Sequence, residues 1–170
     1  MTVPLLGIVA YSGTGKTTLL KQLIPLLTQQ GVRVGLIKHS HHNVDVDTPG
    51  KDSYELRKAG ALQTMVASSR RWALMTETPE EATEPDLFFL ASRFDSSKID
   101  LILVEGFKHE PVPKIALYRT EVGKPIDGLI DQHVIALASN RSVTAGIPEL
   151  DLNQPQHIAA FILRWLTEKS

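Results

Sequence analysis

A glycine-rich segment between an apolar run and a helical pattern constrains this chain more than any other feature. The apolar run is Leu5–Val9, the segment at 10–17 reads A-Y-S-G-T-G-K-T, and helical periodicity follows from Thr18. A strand, a glycine-rich turn and a helix in this order form a P-loop, whose backbone N–H groups bind phosphate. Ala10 stands where the G-x-x-x-x-G-K-[ST] pattern has its first glycine, which costs little in extended backbone. The flanking elements argue against a chance match in a surface loop.

Each residue of this loop has an expected role at a bound nucleotide. Lys16 is expected to reach the β- and γ-phosphates, in both binding and catalysis, and Thr17 to offer its hydroxyl to Mg²⁺. The other positions are expected to bind phosphate oxygens through backbone and hydroxyl groups: Ser12, Gly13, Thr14, Gly15 and Thr18.

Apolar runs alternate with helical patterns along the chain, which indicates the fold class. Strands are predicted at 5–9, 32–37, 63–67, 72–75, 101–104, 114–118 and 134–138, and helices at 18–30, 52–60, 86–94 and 155–169. This alternation predicts an α/β, P-loop NTPase-like, doubly wound fold with a mostly parallel sheet flanked by helices. We expect a single domain over residues 1–170, with an exposed acidic connection at 77–85.

Bulk composition excludes several classes of protein. The formal net charge of −1 argues against a nucleic-acid partner or an acidic membrane surface. The absence of cysteine excludes disulfides and thiolate metal sites, and the N-terminal apolar run is too short to span a bilayer. We therefore expect a cytoplasmic protein without a membrane partner.

A P-loop also needs an acidic residue near the magnesium ion, and the run at 99–106 supplies a candidate. Four apolar residues are followed by Glu105 and Gly106, and the carboxyl end of a parallel strand lies beside the P-loop. We predict Glu105 as a catalytic and metal-site residue, and Gly106 as an N–H donor to the γ-phosphate. Asp47, in the loop after the second strand, is a further metal-site candidate because Mg²⁺ prefers oxygen ligands. A turn-starting Glu105 and a solvated Asp47 are the alternatives.

Two other functions remain open at this stage. A transition-metal site could use His39 and His41 with a carboxylate such as Asp45, which would suit a metal-chaperone GTPase. A small-molecule P-loop kinase would need an arginine-rich lid, for which the adjacent Arg70 and Arg71 are the available pair.

Several segments together resemble the MobB family of molybdopterin-guanine dinucleotide biosynthesis. The resemblance rests on the P-loop A-Y-S-G-T-G-K-T-T-L-L, the loop K-H-S-H-H-N-V-D-V-D-T-P-G-K-D-S-Y-E-L-R-K-A-G-A, and the later pieces R-W-A-L-M-T-E-T-P and D-L-I-L-V-E-G-F-K-H-E. It extends over nearly the whole chain to about Ala138. The histidine-rich loop is more specific than the P-loop, which many NTPases share.

The resemblance implies a GTP-binding accessory protein with weak GTPase activity and a bound magnesium ion. It also implies assistance in joining GMP to molybdopterin, a MobA-type nucleotidyltransferase as partner, and a homodimer. The N-K-x-D signature that reads guanine in many GTPases is missing from the sequence. Asn140, in the Ser139-Asn140-Arg141 segment that follows the strand at 134–138, is the candidate for a contact to the base.

Overall fold

The computed structural model of the chain describes residues 2–78 and 84–169. Residues 79–83 of the predicted acidic connection lie outside this range. The chain forms two compact units, one of Met1–His39 with Asp86–Ser170 and the other of Ser40–Pro85. The single domain predicted for 1–170 remains a prediction.

Within residues 2–78 and 84–169, the two units contain eight strands, four α-helices and two short 3-10 helices. The strands are β1 Leu5–Ala10, β2 Val34–Lys38, β3 Gln63–Ala67, β4 Trp72–Thr76, β5 Leu101–Glu105, β6 Lys114–Tyr118, β7 Val134–Ser139 and β8 Glu149–Asp151. The helices are α1 Lys16–Gln29, α2 Asp52–Lys58, α3 Leu87–Ser92 and α4 Pro155–Lys169. In the described residues, none of the helices has the length and apolarity needed to cross a bilayer.

The larger unit is built on a six-stranded sheet in the order β2-β5-β1-β6-β7-β8, with every neighbouring pair parallel. β5 lies between β1 and β2, so the first two strands along the chain are not neighbours in the sheet. The short strand β8 at the sheet edge was missed, because three residues carry too little periodicity to predict a strand.

Helices cover both faces of this sheet, which confirms the doubly wound prediction. On one face α1 and α4 bury Leu23 and Ile162 against Leu103 of β5. On the other face Leu87 of α3 packs with Ile102. Neighbouring residues of β5 thus enter different cores, and all five of its residues are buried. This explains its continuous apolar run, as expected for a parallel strand covered on both faces.

An ion pair between a buried lysine and an exposed aspartate lies at the start of β6. The Lys114 side chain is 1% exposed, and its Nζ donates to Oδ2 of Asp131 at 2.8 Å. Burial alone would raise the pKa of Asp131, but the bonds from Lys114 and from the His133 N–H hold it below its ordinary value. Asp131 is therefore the counterion of a cation that has left bulk water.

We expect Asp131→Asn to lower the free energy of unfolding at neutral pH by about 1–3 kcal/mol, because the Lys114 ammonium loses its charged partner. The carboxylate's contribution is fully present above its unfolded-state pKa of about 4 and is lost as pH falls through the lower folded-state value. Urea titrations between neutral and acidic pH measure it. The double variant with Lys114→Met removes both charges and should recover much of the loss; equal stability of Asp131→Asn and the parent protein would contradict the prediction.

The smaller unit consists of α2 and an antiparallel hairpin of β3 and β4. Its polar centre is Arg57, whose side chain is 6% exposed and donates to Asp45 at 2.7 Å, Asp47 at 2.6 Å and Glu77 at 2.9 Å. The bonds from Arg57 hold the pKa values of Asp45 and Asp47 below their ordinary range. This guanidinium therefore ties the loop before α2 to the end of the hairpin.

Candidate functional site

The glycine-rich loop leaves the carboxyl end of β1, the strand that lies between β5 and β6 in the sheet. Because all six strands are parallel, their carboxyl ends meet at one edge, where ligands of open α/β sheets bind. Glu105 ends β5 at this edge, and Asn140 directly follows β7 there. The topology thus brings the predicted P-loop, Glu105, Gly106 and Asn140 to the same edge of the larger unit.

The loop has a conformation that suits phosphate. Gly13 and Gly15 have φ of 83° and 95°, values that glycine adopts without the strain of a side chain. Gly15 is the N-cap of α1, whose first turn carries the cation of Lys16 and the hydroxyls of Thr17 and Thr18. An anion at this helix end would therefore meet backbone N–H groups, the positive end of the helix dipole and an ammonium group. The residues present fit a nucleotide phosphate.

Lys16 is paired with the acidic residue predicted from the sequence. Its Nζ lies 3.4 Å from Oε1 of Glu105, and Nζ of Lys38 lies 3.9 Å from the same oxygen. The side chain of Glu105 is 12% exposed, against 59% for that of Lys38. A mostly buried carboxylate at the foot of the loop thus neutralises the lysine that would meet the phosphates.

We expect Glu105→Gln to reduce the advantage that Mg²⁺ gives to GTP binding by about tenfold or more. The amide keeps the shape of the side chain but removes the charge that would attract the ion. In EDTA, GTP binding should be equal or tighter, because Lys16 no longer has a negatively charged partner that competes with the phosphates. Calorimetric titrations with Mg²⁺ and with EDTA measure the ratio. Glu168→Gln, which alters an exposed carboxylate on α4, is the matched control. An unchanged ratio in Glu105→Gln would count against its metal role.

A tight junction after β5 fixes the position of Glu105. Gly106 has φ of 96°, and a Cβ placed on it would lie 2.9 Å from Cβ and 3.0 Å from the carbonyl oxygen of His39. The His39 N–H donates to the Glu105 carbonyl at 2.8 Å, and the His39 ring stacks on Phe107 with centroids 4.9 Å apart. The predicted γ-phosphate contact of Gly106 remains a prediction.

Sequence reasoning missed Arg119, which follows β6. Its Nε donates to the carbonyl oxygen of Thr14 at 2.8 Å. In a trans peptide the carbonyl and the next N–H point in opposite directions, so this bond directs the Gly15 N–H away from Arg119. The Thr14 N–H donates to the carbonyl oxygen of Tyr11 at 3.2 Å, and Thr14 as a whole is 2% exposed. Thr14 therefore anchors the loop. The sequence signal that could have identified Arg119 is the position of a cation directly after the strand that neighbours β1.

Asn140 is engaged with the loop after β6. Its Nδ2 donates to Oε1 and Oε2 of Glu121 at 2.9 and 2.7 Å, and its Oδ1 accepts from the Thr120 N–H at 3.3 Å. The contact to a base predicted for Asn140 remains a prediction, and Glu121 was missed because its partner is 19 residues away.

The remaining predicted residues lie in the smaller unit. Asp47, predicted as a magnesium-site residue, accepts two bonds from Arg57, and its metal role remains a prediction. Arg70 and Arg71 lie in the turn that joins β3 to β4. The arginine pair considered for the lid of a kinase thus lies at the tip of a hairpin, in the turn predicted between the two strands.

These features define the class of protein. A parallel sheet covered on both faces, with a P-loop after its central strand and an acidic residue at the end of the adjacent strand, is a P-loop NTPase-like fold. The chain belongs to the MobB family, described as molybdopterin guanine dinucleotide synthesis protein B, whose family model matches residues 5–140. The resemblance carried by the sequence motifs is confirmed.

Curated relatives and solved structures agree with this membership. A molybdopterin-guanine dinucleotide biosynthesis adapter protein of Escherichia coli (strain K12) is 59% identical over 169 residues, 99% of this chain and 96% of the relative. A protein of the same name from Haemophilus influenzae is 51% identical over 164 residues, 96% of this chain and 90% of the relative. A crystal structure of molybdopterin-guanine biosynthesis protein B is 26% identical with a TM-score of 0.76, covering 95% of this chain and 99% of that one. A crystal structure of Bacillus subtilis MobB is 26% identical with a TM-score of 0.74, and the match covers 96% of this chain and 97% of that one.

Proposed function

We propose that this protein is a GTP-binding adapter with slow GTPase activity that assists the attachment of GMP to molybdopterin. The observation that carries the proposal is the pairing of Lys16 with Glu105 at the foot of a P-loop in a MobB-family chain. The names of the relatives from Escherichia coli and Haemophilus influenzae support the role in molybdopterin-guanine dinucleotide biosynthesis. We place the protein in the cytoplasm.

The chain's own groups account for triphosphate binding. The backbone N–H groups of 13 and 15–17 would donate to the phosphate oxygens, whereas the Thr14 N–H is bonded to the Tyr11 carbonyl. Lys16 would exchange its contact with Glu105 for the phosphates. Thr17 and Glu105 would hold Mg²⁺, which when bound neutralises phosphate charge. Glu105 would then stay compensated as Lys16 turns to the nucleotide.

Slow turnover follows from how Arg119 is used. This arginine contacts the P-loop, but its Nε is bonded to the Thr14 carbonyl, on the side of the peptide opposite to the Gly15 N–H. It supports the loop rather than the charge that develops on the γ-phosphoryl group. An arginine acting on that charge raises the rate by roughly three to five orders of magnitude, so its absence from this role favours binding over rapid hydrolysis.

An exposed apolar face of the smaller unit supports the proposal that this protein binds other protein chains. On one face of the β3–β4 hairpin, Met65, Trp72 and Leu74 are 60%, 67% and 41% exposed. Side chains of this size seldom stay together in water, and two strands alone are marginally stable. We infer a homodimer formed through this hairpin, and a MobA-type nucleotidyltransferase as the partner that performs the transfer to molybdopterin.

The test compares GTP with ATP in Mg²⁺-containing calorimetric titrations, then adds the protein with GTP to a MobA-type transferase and molybdenum-bound molybdopterin. We expect tighter binding of GTP, faster formation of the guanine dinucleotide and a dimer in sedimentation. Equal product formation with and without the protein would contradict the adapter role. Transfer of labelled γ-phosphate to the pterin would instead indicate a kinase.

A further inference from the structure

The segment that follows β6 lies against the P-loop and carries a carboxylate. Arg119 of this segment contacts the Thr14 carbonyl, and Glu121 is two residues further along the chain. Two peptide units span at most about 7.6 Å between Cα atoms, so Glu121 stays close to the residue that contacts the loop. β6 is also the direct sheet neighbour of β1, from which the P-loop leaves. A nucleotide whose phosphates occupy the loop and whose base extends toward β6 would meet this segment.

Two loops hold Glu121 in place. Asn140, at the end of β7, donates its Nδ2 to both carboxylate oxygens, and its Oδ1 accepts from the Thr120 N–H beside it. The bond from its own backbone N–H, and then that from Asn140, hold the pKa of Glu121 below its ordinary value. The group is therefore an ionised acceptor at neutral pH, anchored on one side and exposed on the other.

We infer that Glu121, positioned by Asn140, reads the nucleotide base and selects guanine; this inference rests on the GTP-binding function proposed above. Guanine presents two adjacent donors, the ring N1–H and the exocyclic 2-amino group, either of which can donate to a carboxylate oxygen. Adenine presents an unprotonated ring nitrogen at the corresponding position, which a carboxylate repels. A carboxylate has about four acceptor positions. Asn140 Nδ2 takes one on each oxygen and the Thr120 hydroxyl donates to Oε2 at 3.3 Å, which leaves a position on Oε1 for one donor of the base.

Asn140 has a different role here from the direct base contact predicted for it. Its amide is committed to Glu121 and Thr120, so it acts through Glu121 as a positioning residue. This supplies an acidic reader without an N-K-x-D sequence, since the acceptor and its support come from different loops. Selection of guanine thus depends on the ordered pair of side chains at the ends of β6 and β7.

The test measures binding of GTP, ATP and xanthosine triphosphate, with Mg²⁺, to the full chain and to Glu121→Gln. Xanthine keeps the ring N1–H but carries an oxygen in place of the 2-amino group, so it matches an amide better than a carboxylate. We expect Glu121→Gln to weaken GTP binding by roughly ten- to hundredfold and to strengthen relative binding of xanthosine triphosphate. Asp127→Asn, an exposed carboxylate in the same connection, is the matched control and should leave the order of affinities unchanged.

The outcomes separate this inference from the proposed function. Binding of GTP by the parent protein, with the same GTP-to-xanthosine-triphosphate ratio in Glu121→Gln, would overturn the base-reading role and leave the P-loop assignment in place. Equal binding of GTP and ATP by the parent protein would do the same. Failure of the parent protein to bind any of the three nucleotides would overturn both. A reversed preference in Glu121→Gln, with unchanged thermal stability, supports the inference.

Discussion

Replacement of Lys16 by alanine is expected to weaken Mg²⁺-GTP binding by about 2–4 kcal/mol, roughly thirty- to a thousandfold. The physical reason is the loss of a charge-assisted contact to the phosphates at a helix N-terminus that has no second cation of the same reach in its first turn. Calorimetric titration with Mg²⁺-GTP gives the affinity directly. Since Glu105 keeps Lys38 at 3.9 Å, the variant should remain folded, which thermal unfolding without nucleotide checks.

The matched control for this experiment is Lys21→Ala. Lys21 lies on the same helix, is exposed, and carries the same charge, so it reproduces the change in net charge without touching the loop. We expect its affinity for GTP to equal that of the parent protein within about twofold, as is usual for an exposed side chain far from a charged ligand. Equal affinities of Lys16→Ala and Lys21→Ala would remove the P-loop assignment.

Replacement of Gly106 by alanine is expected to lower the free energy of unfolding by about 2–5 kcal/mol. Two costs add: the left-handed backbone at φ of 96°, and a Cβ that would lie 3.0 Å from the His39 carbonyl oxygen. The second contact cannot relax easily, because the His39 N–H is bonded to the carbonyl of Glu105. Any movement of His39 would therefore displace the residue that neutralises Lys16. Urea unfolding measures the loss, and weaker Mg²⁺-GTP binding should accompany it.

Gly123→Ala separates the two costs. Gly123 also has a left-handed φ, of 70°, but among the described residues no atom lies within 4 Å of a Cβ placed there. It should therefore lose about 1 kcal/mol from backbone strain alone. The difference between the two variants is the contribution of the contact with His39. If both lose the same amount, the junction after β5 is not the tight approach described above.

The predictions that held rest on short-range patterns. The P-loop residues lie together because eight consecutive residues specify a strand end, a turn with two left-handed glycines and a helix start. Glu105 was placed correctly because a run of apolar residues before it indicates a buried parallel strand, and carboxyl ends of such strands share an edge. Both inferences need little beyond local conformation and the direction of the strands.

The misses have a different origin. The order of the strands, with β5 between β1 and β2, sets which residues meet, and local periodicity is the same for several orders. Arg119 and Glu121, which the sequence analysis missed, owe their contacts to partners 105 and 19 residues away. Lys114, an ordinary cation in the sequence, is 1% exposed because the sheet buries its strand and Asp131 balances its charge. None of these pairings has a signature in the neighbouring residues.

By itself the sequence determined that this chain has a loop of P-loop conformation on an α/β sheet, with Lys16 and Thr17 at the start of the following helix and Glu105 at the end of a strand. Backbone conformation and hydrophobic periodicity are short-range properties, so they can be read along the chain. Only the tertiary structure decided that Glu105 neutralises Lys16, that Arg119 supports the loop from outside and that Asn140 holds Glu121. Ion pairs and hydrogen bonds form between groups that are close in space, and the packing of the elements sets those distances.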